Sequence, residues 1–385
     1  MAKGSLFKEV GKDGTVSWRV RVDMVDPVTG KRRQPQRTYK TRREAEASMA
    51  QWLVEIERGT AVVNSRMTVG EYVAYWLDTS ARHRVRATTL ESYEQKVRLY
   101  IVPGLGIVSL QRLSAAQVQA FYSTLLRGDE GRGRAGVSAR TVRYVHAILH
   151  RALKEAVGLG LVSRNVTESV APPKAARPPV KSWDVADVQC FLAVAATDHY
   201  SPLWLIALHT GMRRGELLGL RWADLDFARA VLHVHQAIVS VAYKPRVAEP
   251  KTANGRRTIA LDDVCINALR EHRVRQAAHR LAYGASWQDH DLVFASAVGT
   301  PLDGNSISRR FVKLVAAANV PRIPFHGLRH THATLLMKAG VHPKVVSERL
   351  GHANITLTLQ TYSHVLPQMQ QEAAAIFAAV VGEGS

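Results

Sequence analysis

The chain has 385 residues, 46% of them hydrophobic, which is too long for one ordinary core and apolar enough to fill two or three. Lys and Arg number 52 against 32 Asp and Glu, a formal net charge of +20. The excess is spread, about +6 over residues 1–66, +6 over 67–172 and +8 over 173–385, which excludes a basic tail on a neutral body and points to a polyanion that touches every segment.

Residues 5–10 and 15–25 alternate as strands do, DPVTGK (26–31) reads as a turn, and RRQPQRTYK supplies a third strand. TRRE (41–44) then opens a helix, with Thr41 as cap and Glu44 answering from the third helical position. The expected product is a small three-stranded sheet plus helix, ending near Gly59. Its basic residues crowd the strands and turn (Arg19, Arg21, Lys31, Arg32, Arg33, Arg37), where a sheet could lie in a DNA groove or simply present a solvated basic face.

From Thr68 to about Gly160 the pattern is all helix, with capping boxes at TVGE (68–71) and SAAQ (114–117). Apolar residues recur at helical spacing through Val142, Val145, Leu149, Leu153 and Ala156, while Arg140, Arg143, Arg151 and Lys154 lie on other faces. A helical bundle with a basic side is expected. PPKAARPPVK (172–181) breaks both helix and strand and reads as a linker.

Beyond the linker, SPLWLIALHTGM (201–212) is a buried helix running into TGMRRGEL. VLHVHQAIVSV (231–241) is a strand whose hairpin partner is RRTIAL (256–261), across a TANG turn. Helices follow at about 262–280, 304–319, 327–339, 343–351 and near the C-terminus, so a mainly helical domain with a small antiparallel sheet is predicted. Cys190 and Cys265 fall in apolar helical patterns and read as buried thiols in a reducing cytoplasm. The N-terminus carries no apolar signal core, and the longest apolar run, AAAIFAAVV (373–381), is too short to span a bilayer; a soluble intracellular protein with no membrane partner is expected.

FHGLRHTHATL (325–335) packs His326, Arg329, His330 and His332 together. His326 and His330 have the spacing of paired zinc ligands, but no Glu stands between them and Arg329 would put a fixed cation beside the metal. A phosphate site instead predicts more basic donors, because a phosphoryl-transfer transition state spreads negative charge over several oxygens. TGMRRGEL supplies Arg213, with Glu216 on the same helical face as a buttress. EPKTANGRRTIAL supplies Lys251, and LGHANITLTLQTYSHV supplies His352 and then Tyr362. Lys244 competes with Lys251, and Tyr243 and Tyr283 are further tyrosines of the domain, though neither follows an L-G-H element.

Taken in order, TG-x-R-x-x-E, P-K-T…G-R-R-T-I, H-x-L-R-H, L-G-H and the following Tyr resemble the catalytic set of the tyrosine recombinases, the phage-type integrases. The resemblance implies a multidomain fold, mainly α with small antiparallel β-sheets: an arm-type DNA-binding domain (1–64, three-stranded sheet plus helix), a helical core-binding bundle (65–171), a linker (172–182) and a mixed α/β catalytic domain (183–385). It implies that Arg213 and Arg329 hold the non-bridging oxygens of the scissile phosphate, that His326 accepts a proton or contacts the phosphate, and that His352 is a further phosphate contact. It implies further that Lys251 protonates the departing 5′ oxygen and that Tyr362 is the nucleophile, giving a covalent 3′-phosphotyrosine whose reversal by another 5′ hydroxyl needs no ATP. Arg19, Arg21, Arg33, Arg140, Arg143 and Arg151 are the expected DNA contacts.

The implied partners are double-stranded DNA at core and arm attachment sites and three more copies of the chain, with room for a host bending factor or an excision factor. Neither cofactor nor metal is called for, and the setting would be the cytoplasm and nucleoid of a bacterial host. Two other readings remain: a type IB topoisomerase-like or resolution enzyme using the same chemistry, and a DNA-binding regulator with a decayed site. The stretch QMQQEAAAIFAAVV (368–381) would either fold back on its own domain or dock into a neighbouring subunit.

Overall fold

The computed structural model describes residues 4–351 apart from 12, 26–29, 31, 58–65, 130–133, 177–180, 243 and 250–254, together with a few positions beyond 351. The chain divides into two compact units, Met1–Arg177 and Pro178–Ser385, each with its own core.

The first unit opens with β1 (Gly4–Val10) and β2 (Val16–Val22), joined antiparallel with Phe7 opposite Arg19 and Leu6 opposite Val20. β3 (Met24–Val25) pairs with β4 (Arg32–Arg33), and β5 (Gln36–Tyr39) pairs with β2. The expected second and third strands are thus each broken in two. Pro35 brings no N–H to a ladder, and Asp23 turns its carboxylate onto Arg32 and Gln34 at the break. α1 (Arg42–Glu57) starts as predicted: Thr41 Oγ1 accepts the Glu44 amide and Glu44 accepts the Thr41 amide. Val20, Val22, Met24, Ala45 and Trp52 form the small core between sheet and helix.

The helical part runs α2 (Val69–Trp76), α3 (Arg82–Arg84), α4 (Ala87–Lys96), α5 (Val102–Leu105), α6 (Ala115–Arg127) and α7 (Ala139–Gly158). The capping boxes at Thr68–Glu71 and Ser114–Gln117 are both formed. α2 and α4 pass through wider π-type turns at Leu77–Ala81 and Val97–Ile101. All-helix is not the whole outcome, because Gly128 leaves α6 at φ 89 and β6 (Gly128–Asp129) pairs with β7 (Arg134–Ala135) before α7. On α7, Val142, Val145, Leu149, Leu153 and Ala156 are all buried, as their spacing predicts. Their cost of removal sets the scale, since Leu149→Ala in such a core costs about 2–5 kcal/mol.

The second unit contains α8 (Val185–Ala195), α9 (Ser201–Thr210), α10 (Arg214–Leu218), β8 (Leu225–Asp226), β9 (Val231–Val234), β10 (Ala237–Val241), β11 (Lys244–Ala248), β12 (Arg257–Ala260) and α11 (Asp263–Tyr283). α12 (Gly304–Ala317), α13 (His326–Lys338) and α14 (Pro343–Leu350) follow. The strand expected over 231–241 is two strands in two sheets. β9 lies between β8 and β12, whereas β10 makes a hairpin with β11, which the sequence reading missed. The break falls where His235 turns to Asp224 and Gln236 donates to the Gly219 carbonyl.

Cys265 is buried but Cys190 is exposed, against expectation. α8 buries Phe191 and Ala195, with Val188 and Leu192 packed beside them, and a residue one step before Phe191 lies a quarter-turn away from that face. Among the described residues no helix is long and apolar enough to cross a membrane.

Candidate active site

α9 ends at Gly211, which takes a left-handed conformation at φ 62. A Cβ there would lie 2.7 Å from both the His332 Cδ2 and Leu350 Cδ2 atoms, so glycine is required for space as well as for backbone. The chain then extends through Met212 and Arg213, and Arg213 caps α10. Three residues on, Glu216 is 4% exposed and receives donors from two sides. Its Oε1 accepts from Arg213 Nη1 at 2.7 Å, while its Oε2 accepts the Arg213 amide at 3.0 Å and Arg257 Nη2 at 2.9 Å. Burial works to raise the Glu216 pKa, but Arg257 and then Arg213 outweigh it and hold the carboxyl below its usual value.

Arg257 was not expected at the site. It stands on β12 and its side chain is 6% exposed, stacking its charge against Glu216 from behind. A signal was present: strand alternation puts Arg257 on the same face as Ile259, which is core.

α13 brings His326 and Arg329 to the same place. Arg329 is buried and donates through Nη1 to the Gly211 carbonyl at 2.9 Å and through Nη2 to the Leu350 carbonyl at 2.7 Å. Arg213 Nη2 donates to the next carbonyl, that of Gly351, at 3.1 Å. The two arginines come from opposite ends of the unit's sequence and rest on adjacent peptide groups. His326, in the first turn of α13, keeps an open side toward solvent, and its ring meets His330 edge-on at 4.8 Å. Crowding by protein atoms, then His330, Arg329 and Arg213, lower its pKa to about 4, so the ring is neutral at neutral pH. His332 points the other way, is buried, and has a pKa of about 3, from burial first and Arg349 second.

Arg213, Glu216, His326 and Arg329 are therefore gathered in one patch. Lys251, His352 and Tyr362 lie outside the described residues, as does most of the stretch 368–381, of which Phe377 and Val381 are described and exposed. The arginines expected to meet DNA elsewhere belong to the first unit. Arg19 and Arg21 share the sheet face that carries Phe7, with the Arg21 guanidinium 5.0 Å from the Phe7 ring centre and Arg19 paired to Glu9. Arg37 is on the opposite face, against Trp52 at 4.2 Å, because its register partner is the inward Val20. Arg33 is exposed on β4. On α7, Arg140, Arg143 and Arg151 are exposed and fall, with Lys154, within an arc of about 80°, opposite the apolar stripe; Arg151 also donates to the Tyr93 hydroxyl. Among the described residues one group has metal-ligand chemistry, His209, Asp262 and Cys265. It is a poor cation site, because Asp262 already pairs with His209 and caps α11, and burial pushes the Cys265 thiol far up.

Comparison with known proteins adds the lineage. Residues 187–369 match the phage integrase family, 68–126 its N-terminal SAM-like domain, and 6–56 an arm DNA-binding domain. An integrase of Streptomyces ambofaciens is 30% identical over 93% of this chain and 92% of its own. A tyrosine recombinase XerC-like protein of Caldanaerobacter subterraneus subsp. tengcongensis is 29% identical over 97% and 98%. The fold is similar to that of the Tn1549 transposon integrase, solved in complex with transposon right end DNA, at a TM-score of 0.65 and 23% identity, covering 80% of this chain and 100% of that one. The chain belongs to the phage integrase family and is a tyrosine site-specific recombinase.

Proposed function

We propose that this recombinase integrates and excises a mobile element or prophage, with Tyr362 as nucleophile and Arg213, Lys251, His326, Arg329 and His352 around the scissile phosphate. One observation carries the reading: Arg213 and Arg329 rest on the consecutive carbonyls of Gly351 and Leu350, with Glu216 behind Arg213 and neutral His326 beside them. Two fixed guanidiniums so placed can take the two non-bridging oxygens of one phosphate, a task for planar forks. His352 follows these carbonyls directly in sequence, and Tyr362 comes ten residues after it. A tyrosine hydroxyl, with pKa near ~10, needs a proton acceptor and a positive field to become a nucleophile, and this patch offers both.

Cleavage then conserves the phosphodiester energy in a 3′-phosphotyrosine, and attack by another strand's 5′ hydroxyl releases the tyrosine and completes exchange. Two duplexes exchanging both strands present four cleavage positions, one tyrosine each, which supports a homotetramer on DNA. The proposed division of labour is an arm-binding domain over 1–64, a core-binding domain over 65–171, a linker over 172–182 and a catalytic domain over 183–385. The family matches at 6–56, 68–126 and 187–369 support it. Arg19 and Arg21 on the outer sheet face, Arg33, and the α7 stripe of Arg140, Arg143 and Arg151 are the proposed DNA contacts. An arm-type domain favours integration over topoisomerase-like relaxation, since a second class of binding site serves to bridge two DNAs.

The test is a nicked suicide duplex carrying the junction sequence of the element that encodes the chain, read on a denaturing gel. The parent protein should give a covalent protein–DNA band that persists in excess chelator. Tyr362→Phe should lose the band and keep binding to the duplex. A full band from Tyr362→Phe would assign the nucleophile elsewhere, and loss in chelator with recovery on zinc would restore the metal reading of the histidines.

A further inference from the structure

Three consecutive carbonyls at the end of α14 each hold a guanidinium. The Arg349 carbonyl accepts from Arg257 Nε at 2.7 Å, the Leu350 carbonyl from Arg329 Nη2 at 2.7 Å, and the Gly351 carbonyl from Arg213 Nη2 at 3.1 Å. The last carbonyls of a helix have no partners within it and carry the negative end of its dipole, so this end of α14 is a natural seat for cations. Both phosphate-holding arginines, and the arginine behind Glu216, are thereby referenced to one short segment. Whatever fixes the end of α14 fixes all three.

The side chain of Arg349 is placed to do that. It is half-buried, and its guanidinium donates through Nη2 to the His209 carbonyl at 2.9 Å and through Nε to His332 Nε2 at 3.1 Å. His209 is in the last turn of α9, just ahead of Gly211, whose carbonyl also holds Arg329. His332 is on α13, three residues after Arg329. Nε2 can accept only in a neutral imidazole with its proton on Nδ1, and the ring's other hydrogen bond, to the Leu208 backbone, accommodates that tautomer. Among the described residues no carboxylate lies within ion-pair distance of Arg349. Its fork instead ties a helix end to two other helices through two nitrogens held at a fixed separation, a geometry that the single nitrogen of an ammonium cannot reproduce.

We propose that Arg349 is a positioning residue for the phosphate clamp: by tying the end of α14 to α9 and α13 it holds the carbonyls on which Arg213, Arg257 and Arg329 rest. It acts through those arginines and does not itself touch the phosphate. The proposal rests on the recombinase reading above.

The experiment compares two nicked suicide duplexes of that junction sequence, one with the natural scissile phosphate and one with a methylphosphonate there. Replacing one charged oxygen by methyl removes a negative charge from the ground and transition states, so a clamp defect matters less on the second substrate. At saturating DNA, R349M should slow single-turnover cleavage of the phosphate by roughly 10–100-fold, as misplaced catalytic groups do. On the methylphosphonate it should lose less than about 3-fold relative to the parent, and binding to the duplex should change by a similarly small factor. R349K should show a smaller loss with the same substrate pattern, and it is the variant read if R349M is not folded at the assay temperature by circular dichroism. Equal losses on both substrates, or no loss in either variant, would overturn the role of Arg349. A parent protein that forms no covalent product with either duplex would overturn the recombinase reading instead.

Discussion

Glu216→Gln is the substitution that presses hardest on the site. In the parent, the carboxylate takes Arg257 at 2.9 Å in a pair where both side chains are nearly sealed from water, at 6% and 4% exposure. The amide keeps the shape but can satisfy only one side with its oxygen, and it turns an N–H₂ donor toward a guanidinium on the other. Removing one partner of a buried ion pair costs about 3–5 kcal/mol, because the remaining charge is left buried without compensation. The Arg213 side of the network, 41% exposed, adds little to that figure. For a unit of this size, each kcal/mol moves the melting temperature by roughly 2–4 °C, so the transition of the catalytic unit should fall by about 6–20 °C. Cleavage of the suicide duplex should also slow, by about 10–100-fold at a temperature where the variant is folded, because Arg213 loses the group that aims it. Calorimetry and single-turnover cleavage read the two effects separately. The double variant Glu216→Gln, Arg257→Met removes the orphaned charge and should regain much of the stability without regaining the cleavage rate. A Glu216→Gln protein that melts within about 1 °C of the parent, or a double variant no more stable than the single one, would refute the buttress argument.

Three further outcomes follow from the same reasoning. Lys251→Ala should be defective on an ordinary substrate and recover much of its cleavage when the 5′ bridging oxygen is replaced by sulfur, a far better leaving group; equal defects on both would move the acid role, with Lys244 first in line. Deleting residues 1–64 should spare cleavage of a minimal core site and impair integration that needs arm sites, measured with paired plasmid substrates, and equal integration would remove the role assigned to the Arg19 and Arg21 face. Finally, the His332 pKa is about 3 when folded against about 6.5 unfolded, so the folded state binds fewer protons; stability is fully present above pH 6.5 and is lost as pH falls toward 3. Melting curves of the catalytic unit should therefore lose about 1.4 kcal/mol per pH unit below 6.5 from this ring, with a smaller share from the more exposed His326, and His332→Asn should flatten the dependence.

How much of this could be read beforehand depended on whether the deciding contacts were local. The capping boxes at Thr68, Ser114 and Thr41 were legible because cap and partner are three residues apart. The Arg213–Glu216 pair was legible for the same reason, and the buried face of α7 because periodicity over twenty residues leaves little choice. Strand breaks were not. The run 231–241 is uniformly strand-like, and only its two different partners, β12 for its first half and β11 for its second, force the break at His235–Gln236. Arg257 and Arg349 were missed for a related reason: their acceptors, Glu216, the His209 carbonyl and the carbonyl of residue 349, come from sequence segments far from them or from backbone, which carries no signature in side-chain pattern. The basic residues of the first sheet show the middle case. Alternation could separate Arg19 and Arg21 from Arg37, but only once the register to Val20 was known.

The histidines of FHGLRHTHATL divide along the same line. His332 serves the scaffold through Arg349, His330 packs edge-on to His326, and only His326 keeps an open side near Arg213 and Arg329. Around Glu216 and the α14 carbonyls, three guanidiniums meet one carboxylate, an excess of two positive charges among the described residues there, to which Lys251 in its proposed role would add another. A phosphodiester brings one negative charge, whereas the five-coordinate phosphorus formed by tyrosinate attack carries two. On the roles proposed above, the patch would match the transition state more closely than the bound substrate, which is the condition for a binding interaction to accelerate a step. His326 is neutral beforehand, and a permanent imidazolium there would add a further charge and favour the resting complex. Burial holds the His326 pKa near 4 first, and His330, Arg329 and Arg213 add to it; on the roles proposed above, an arriving anion would offset only the share owed to the two arginines, and that share is what would help the ring take the tyrosine proton as negative charge grows on phosphorus.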